Sequence, residues 1–287
     1  MLNITLLGGI SFSANGTIIR PDLGPAGRLL ACYLFAFAGR VHRRERLADL
    51  FWSEMDADKA RSALNTALWR FRKMLDLGAV GNSRHLITIG EDVILEKSQS
   101  LRIDVHTLEA ASRRILSRHQ TGALADIEMR EISAAVDGYA GPFLDGCDGE
   151  WVLQERERLH CLFVRSTFEL MRTAAIQERY EDALDFGRRI LATDPLRESV
   201  QRDVMLLLLL NGQRGEAIRS YRRLVALLRA ELDTGPMPET ERLHDRILSG
   251  ELSIKMREYA HAQFGLSGNR CRRRSRAPSG GPRPSRR

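Results

Sequence analysis

Between residues 58 and 75 the apolar positions Ala60, Ala63, Leu64, Ala67, Leu68, Phe71 and Leu75 recur at three- and four-residue steps. That spacing gathers them on one stripe and predicts an amphipathic helix. At about 100° per residue, Ser62, Thr66, Trp69 and Lys73 lie opposite the stripe. Arg61, Asn65, Arg70 and Arg72 flank them. A merely solvating face would be rich in Glu, Lys and Gln. This one offers short hydrogen-bonding groups, an indole and cations, which suits a DNA groove.

The pattern on either side supplies a frame for that helix. Ile4–Leu7 reads as a strand, and Ile10–Ser13 and Ile18–Ile19 as a hairpin around Asn15-Gly16, a strong two-residue turn signal. Gly8-Gly9 reads as a bend. Pro25 to Ala38 predicts a helix with Leu29, Leu30, Tyr33, Leu34 and Phe37 inward, closed by Gly39. Arg43 to Trp52 predicts a shorter helix, and Asp56 or Asp58 can cap the long one. Leu86–Ile89 and Val93–Leu95 form a second hairpin around Gly90-Glu91-Asp92. Strands, three helices and a hairpin within about one hundred residues make a winged helix-turn-helix.

From about Val105 the pattern is helical. Ala183 aligns with Ala217, Leu184 with Ile218, and Arg188–Leu191 with Arg222–Val225, an offset of 34 residues. That is the period of tetratricopeptide helix pairs. Pro195 follows one unit, and Gly212–Gly215 sits at an inter-helix turn. Glu150 to Ala175 supplies further helices through Trp151, Leu159, Phe163 and Phe168. The expected architecture is therefore mainly α: a winged helix-turn-helix with small flanking β-sheets, then an all-α TPR-like domain. The expected divisions are 1–100, 101–255 and an Arg-rich tail, 265–287, with nothing to bury and so disordered.

Composition adds little until it is localised. The chain has 287 residues, is 43% hydrophobic and 28% charged, and carries a formal charge of +7. Residues 268–287 hold eight arginines and no acid, so residues 1–267 sum to −1. Within those, residues 1–100 carry +3 and the remainder −4. A mildly basic front on an acidic body fits a nucleic-acid-binding head joined to a protein-binding part. The tail either adds non-specific DNA affinity or is a solvated extension. The N-terminus has no secretory pattern and no apolar run reaches membrane length, so the cytoplasm is the expected compartment. Four scattered cysteines and seven unclustered histidines give no metal spacing. His160-Cys161 reads as a helix-face coincidence. No nucleophile–base order or paired carboxylates stand out, so neither catalysis nor a cofactor is expected.

The blocks Arg44–Trp52 and Ala60–Leu75 resemble the N-terminal domain of SARP-type bacterial transcription regulators. Tyr139–Leu144, Trp151–Leu159, Asp194–Glu198, Ala230–Leu232, Pro236 and Pro238–Thr240 are similar to that family's bacterial transcriptional activator domain. The resemblance spans roughly residues 2–250. It implies an OmpR/PhoB-like winged helix on double-stranded promoter DNA, contact with RNA polymerase and its sigma factor, and pairing of protomers on repeated sites. No GxxxxGK[ST] sequence occurs, which implies a form without the ATPase module of larger relatives. The acidic turn Gly90-Glu91-Asp92 departs from the usual neutral or basic wing. Arg84, His85 and Lys97 are then the alternative wing contacts.

The candidate DNA-binding residues are Arg43, Arg44, Arg61, Ser62, Asn65, Thr66, Trp69, Arg70, Arg72 and Lys73. Arg70 and Lys73 are first for direct contact; arginine can hold guanine through two hydrogen bonds and Asn65 adenine likewise. Ser62 and Arg61 suit phosphate near the helix N-terminus, and Arg43, Arg44 and Arg46 suit the backbone. The plainer readings are ion pairing of Arg61 and Arg72 with acids on neighbouring turns, burial of Trp69 against the second domain, and a core role for Trp52. The competing function is a helical-repeat adaptor whose winged helix no longer binds DNA.

Overall fold

The computed structural model describes residues 1–78, 85–117, 124–251 and 264. The Arg-rich tail and Arg84 lie outside the described residues. By contact the described residues divide into two compact units: 1–78, 85–117 and 126–166 in one, and 124–125, 167–251 and 264 in the other. A cut at residue 100 would therefore fall inside the first unit.

In the first unit, β1 (Leu2–Thr5), β2 (Ser11–Ala14) and β3 (Thr17–Ile19) form an antiparallel meander. Asn15 and Gly16 both take positive φ, at 50° and 85°, as a type I′ turn requires. Then come α1 (Pro25–Ala36), β4 (Val41–Arg43), α2 (Arg44–Trp52) and α3 (Ala57–Gly78). The hairpin β5 (Leu86–Ile89) and β6 (Asp92–Leu95) follows, with Gly90 at positive φ in its two-residue turn. β4 pairs with β6, closing a three-stranded wing sheet in the order β4-β6-β5. The sequence reading gave no β4, because three residues are too few for alternation to register. Arg43 consequently ends a strand and does not open the helix. The winged helix-turn-helix itself is present as expected.

α1 is the centre of this unit. Leu30, Ala31, Leu34 and Phe35 are buried on different sides of it. Phe35 meets Phe71 of α3 edge-on, ring centres 5.1 Å apart, and Phe12 of β2 at 6.0 Å. One side chain thus joins helix, helix and sheet, an arrangement that aromatic edges and faces favour.

The first sheet continues past residue 100. β7 (Leu101–Ile103) pairs in parallel with β1 and leads into α4 (Asp104–Leu116), followed by α5 (Asp126–Asp137). Asp104 turns back to accept hydrogen bonds from the Leu6 and Leu7 N–H groups at 2.8 and 2.9 Å, and from Val105 N–H at 2.7 Å. Leu7 also bridges to Phe143, and Leu144 N–H donates to Leu6 C=O at 2.8 Å. Gly8 is needed here. It has φ +89°, and a Cβ would stand 2.7 Å from the backbone of Ala140 and Gly141. Arg156, in α6 (Glu150–Ile176), fixes the other side of that loop by donating to the carbonyls of Phe143, Leu144 and Cys147, each at 3.0 Å. These bonds pair backbone groups that burial would otherwise leave unmatched.

The second unit is the repeat. Beyond the end of α6 it contains α7 (Tyr180–Thr193), α8 (Glu198–Leu210), α9 (Arg214–Leu232) and α10 (Pro238–Ser249). The 34-residue offset extends to the backbone. Gln177→Thr173, Glu178→Ala175 and Arg179→Ala174 are N–H to C=O bonds that recur as Asn211→Leu207, Gly212→Leu209 and Gln213→Leu208. These are Schellman closures of α6 and α8. Each turns on a left-handed residue, Glu178 at φ 60° and Gly212 at φ 76°. Ala183 and Ala217 are fully buried, as are Ile190 and Leu224 two turns on. α10 closes the stack. The Glu198 carboxylate accepts from Met237 N–H at 2.9 Å and from the buried Thr240 hydroxyl at 2.6 Å, anchoring the helix start where donors lack partners.

Two outcomes are expected. Glu178→Gly relieves a left-handed side-chain penalty and raises stability by about 0.5–1 kcal/mol, while Gly212→Ala lowers it by about 1 kcal/mol; urea unfolding measures both. A chain ended at residue 100 loses β7 and the Asp104 carboxylate and melts without a cooperative transition, whereas one ended at residue 166 melts cooperatively by near-UV circular dichroism.

Candidate nucleic-acid interface

The inner stripe of α3 is buried as the spacing predicted. Ala60, Leu64, Ala67, Leu68, Phe71, Met74 and Leu75 are all in the core, and Ala63 is half-buried. Helical geometry then leaves the opposite face no choice but solvent. Ser62, Thr66, Trp69 and Lys73 are exposed along one ridge, with Arg61 and Asn65 exposed beside it. Trp69 is 53% exposed, so the reading that buries it does not hold. Lys73 Nζ sits 3.9 Å above the Trp69 ring, a cation–π pair that holds the charge on the ridge. The Thr66 hydroxyl donates to Ser62 C=O at 3.1 Å, which occupies its hydrogen within the helix.

The cations around the ridge are held by acids. Arg70, half-buried, lies 3.7 Å from Asp22, which precedes α1. Arg61 lies 3.6 Å from Asp58 on the same helix, and Lys59 3.0 Å from Asp56. Arg43, at the end of β4, lies 3.4 Å from Asp92 of the wing. All four pairs are solvent-exposed on at least one side, so each contributes little to stability and opens easily. Asp92, one of the two acids of the wing turn, is thus matched by a cation.

Two predicted contacts are turned on each other. The half-buried Arg44 guanidinium donates to Asn65 Oδ1, joining the start of α2 to α3. Arg72 is half-buried and donates to Thr88 Oγ at 2.7 Å, joining α3 to β5 beside the ridge. His85 is corrected as a wing contact: it is buried, and its Nε2 is 3.0 Å from Ser100 Oγ. A histidine facing inward at the start of β5 has no route to a groove.

Sequence reasoning missed three contributors. Trp52, read as core, is half-buried and lines a cleft of about 470 Å³ with Lys59, Ser62, Thr66 and Arg70. Lys59 lies one turn before the ridge, and Asp22 reaches Arg70 from a loop. The helical spacing of Lys59 from Ser62 could have shown the first. Nothing in the sequence ties Asp22 to Arg70. Among the described residues no three His, Cys, Asp or Glu side chains could hold a metal ion, and no helix is long and apolar enough to cross a membrane.

Comparison with known proteins agrees with this architecture. Residues 103–248 match the bacterial transcriptional activator domain. The chain is 26% identical over 234 residues to the regulatory protein AfsR of Streptomyces coelicolor, covering 80% of this chain and 22% of that protein. It is 24% identical over 258 residues to the transcriptional regulatory protein MoaR1 of Mycobacterium tuberculosis, covering 86% of this chain and 82% of MoaR1. The chain thus spans only about a quarter of AfsR's length or less. Among solved structures, Mycobacterium tuberculosis EmbR, in complex with a low-affinity phosphopeptide, has the same fold. Its TM-score is 0.67 at 19% identity, over 92% of this chain and 69% of EmbR. The matched region covers half of the chain, and the chain belongs to the bacterial transcriptional activator domain family, among the SARP-type regulators.

Proposed function

We propose that this protein binds double-stranded promoter DNA through α3 and activates transcription. The single observation that carries this reading is the exposed Ser62–Thr66–Trp69–Lys73 ridge on the third helix of a winged helix-turn-helix. In the bound state the ridge lies in the major groove. Arg70 and Lys73 read base edges or neighbouring phosphates, Thr66 and Trp69 supply apolar contact to thymine methyls or sugars, and Asn65 exchanges its Arg44 bond for an adenine edge. Ser62 and Arg61, near the start of α3, meet phosphate. Arg43, Arg44 and Arg72 act from the wing side, by backbone contact or by fixing the angle of α3. The helical-repeat domain, on this reading, contacts RNA polymerase with its sigma factor, or a second protomer on repeated half-sites. The protein works in the cytoplasm, on the nucleoid, with no cofactor and no enzymatic step.

The acid partners give the mechanism a defined electrostatic step. Phosphate replaces Asp22 at Arg70, Asp58 at Arg61 and Asp92 at Arg43. Each exchange releases a carboxylate to water while the DNA releases its condensed counterions, so affinity falls steeply with salt. A helical-repeat adaptor would show only weak, tail-dependent retention, abolished by deleting residues 268–287.

Promoter fragments recovered by genomic capture with the purified chain provide the assay. Arg70→Ala with Lys73→Ala is expected to weaken gel-shift binding by about 2–4 kcal/mol, on the order of 30- to 1,000-fold, with the circular-dichroism spectrum unchanged. Unchanged affinity would remove α3 from the interface. Asp22→Asn is expected to tighten binding by about two- to five-fold at low salt, the gain fading as salt screens the pair it removes.

A further inference from the structure

A second feature of the first unit is a cavity of about 380 Å³. Its walls are the turn from Ala36 to Arg40 after α1, Lys97 just past β6, and residues of α4 and α6. Arg40, Lys97, Arg113 and Arg158 line it, against one lining carboxylate, Glu109. Arg158 is already committed, to Glu109 at 2.6 Å and to Glu155, and these bonds hold its proton more firmly than usual. Arg113 lies 3.8 Å from Glu109. Arg40 instead rests over the Phe37 ring, 4.9 Å from its centre. The Lys97 stem packs over Gly39, whose φ of +86° and missing Cβ make room for it. Four cations therefore face two carboxylates. His106 donates from Nε2 to Ala36 C=O at 3.1 Å, and burial lowers its pKa, which keeps the ring neutral.

An unmet donor lies against the cavity wall. Ser112 of α4 lines it, is 1% exposed, and its Oγ has no hydrogen-bond partner. A buried hydroxyl without a partner is unfavourable. Here it stands beside a surplus of positive charge. A cation would be repelled by that surplus and an apolar molecule would leave both unmatched. An anion that accepts hydrogen bonds satisfies both at once, and a fork-shaped guanidinium beside an ammonium suits tetrahedral oxyanions. The volume admits one small molecule and no polymer.

We propose that this cavity binds a small phosphorylated metabolite, with its phosphate held by Arg40, Lys97 and the Ser112 hydroxyl. The site stands apart from α3 and does not rest on the DNA-binding reading. It does adjoin the wing: Gly39 N–H donates to Leu95 C=O at 2.7 Å, and β4 and β6 run on from those two positions.

Titration calorimetry of the full chain with glycerol 3-phosphate and with inorganic phosphate, in chloride buffer, tests this. Saturable binding is expected, weakened about tenfold by Arg40→Gln or by Lys97→Gln. Both side chains are exposed at the rim, so melting of the free protein should be unchanged. Ser112→Ala should weaken binding severalfold while leaving the free protein's Tm equal or higher, since it deletes an unmatched buried group. Absence of saturable binding overturns the proposal. So does binding indifferent to Arg40→Gln and Lys97→Gln, which would place the phosphate elsewhere on the chain. A lowered Tm for free Ser112→Ala also overturns it, since the hydroxyl would then be satisfied without a ligand.

Discussion

The edge-on contact between Phe35 and Phe71 is the constraint from which the functional surface follows. α1 is buried on several sides, and Phe35 fixes which face of α3 turns toward it. With 3.6 residues per turn, setting Phe71 and Leu68 inward sets Trp69 and Lys73 outward. No loop or partner is needed to present the ridge. A shift of α3 by one residue that set Trp69 in the place of Leu68 would set Arg72 in the place of the buried Phe71. The cost of burying that guanidinium makes the register inaccessible.

This explains why the ridge was legible in the sequence. It is the complement of an apolar stripe, and periodicity reports both faces of a helix together. The 34-residue repeat was legible for the same kind of reason: identical turns impose identical spacing, down to the three backbone bonds that recur between residues 177–179 and 211–213. What stayed hidden depends on contacts distant in sequence. β4 and β7 are three-residue strands whose existence depends on β6 and β1. The Thr88 partner of Arg72 and the burial of His85 against Ser100 are contacts of this kind. Local patterns give a side chain's direction around a helix. They do not give the identity of the group that waits there.

The electrostatics of the ridge has its own logic. Exposed cations paired to exposed acids are nearly neutral to a distant observer, which fits a folded part whose charges almost cancel. At contact distance the same pairs are weak, and phosphate competes well for them. Such a surface attracts nucleic acid poorly at range and yields its cations only where the ridge fits. On the proposed function, this favours discrimination over indiscriminate association, because the pairs must be broken before any phosphate is gained.

The junction at Asp104 carries a further consequence. The family domain begins at residue 103, yet its residues 103–117 and 126–166 belong to the compact unit that holds the winged helix. Asp104 holds the N–H groups of Leu6 and Leu7, and the 142–144 loop bridges to the same stretch. These bonds satisfy backbone groups buried at the end of β1, and neither segment can supply the partners alone. The winged helix and this part of the activator domain are therefore one compact unit. In this protein the boundary drawn by sequence families and the boundary drawn by packing are different lines. It is the packing boundary that decides which segments can respond together when either is bound.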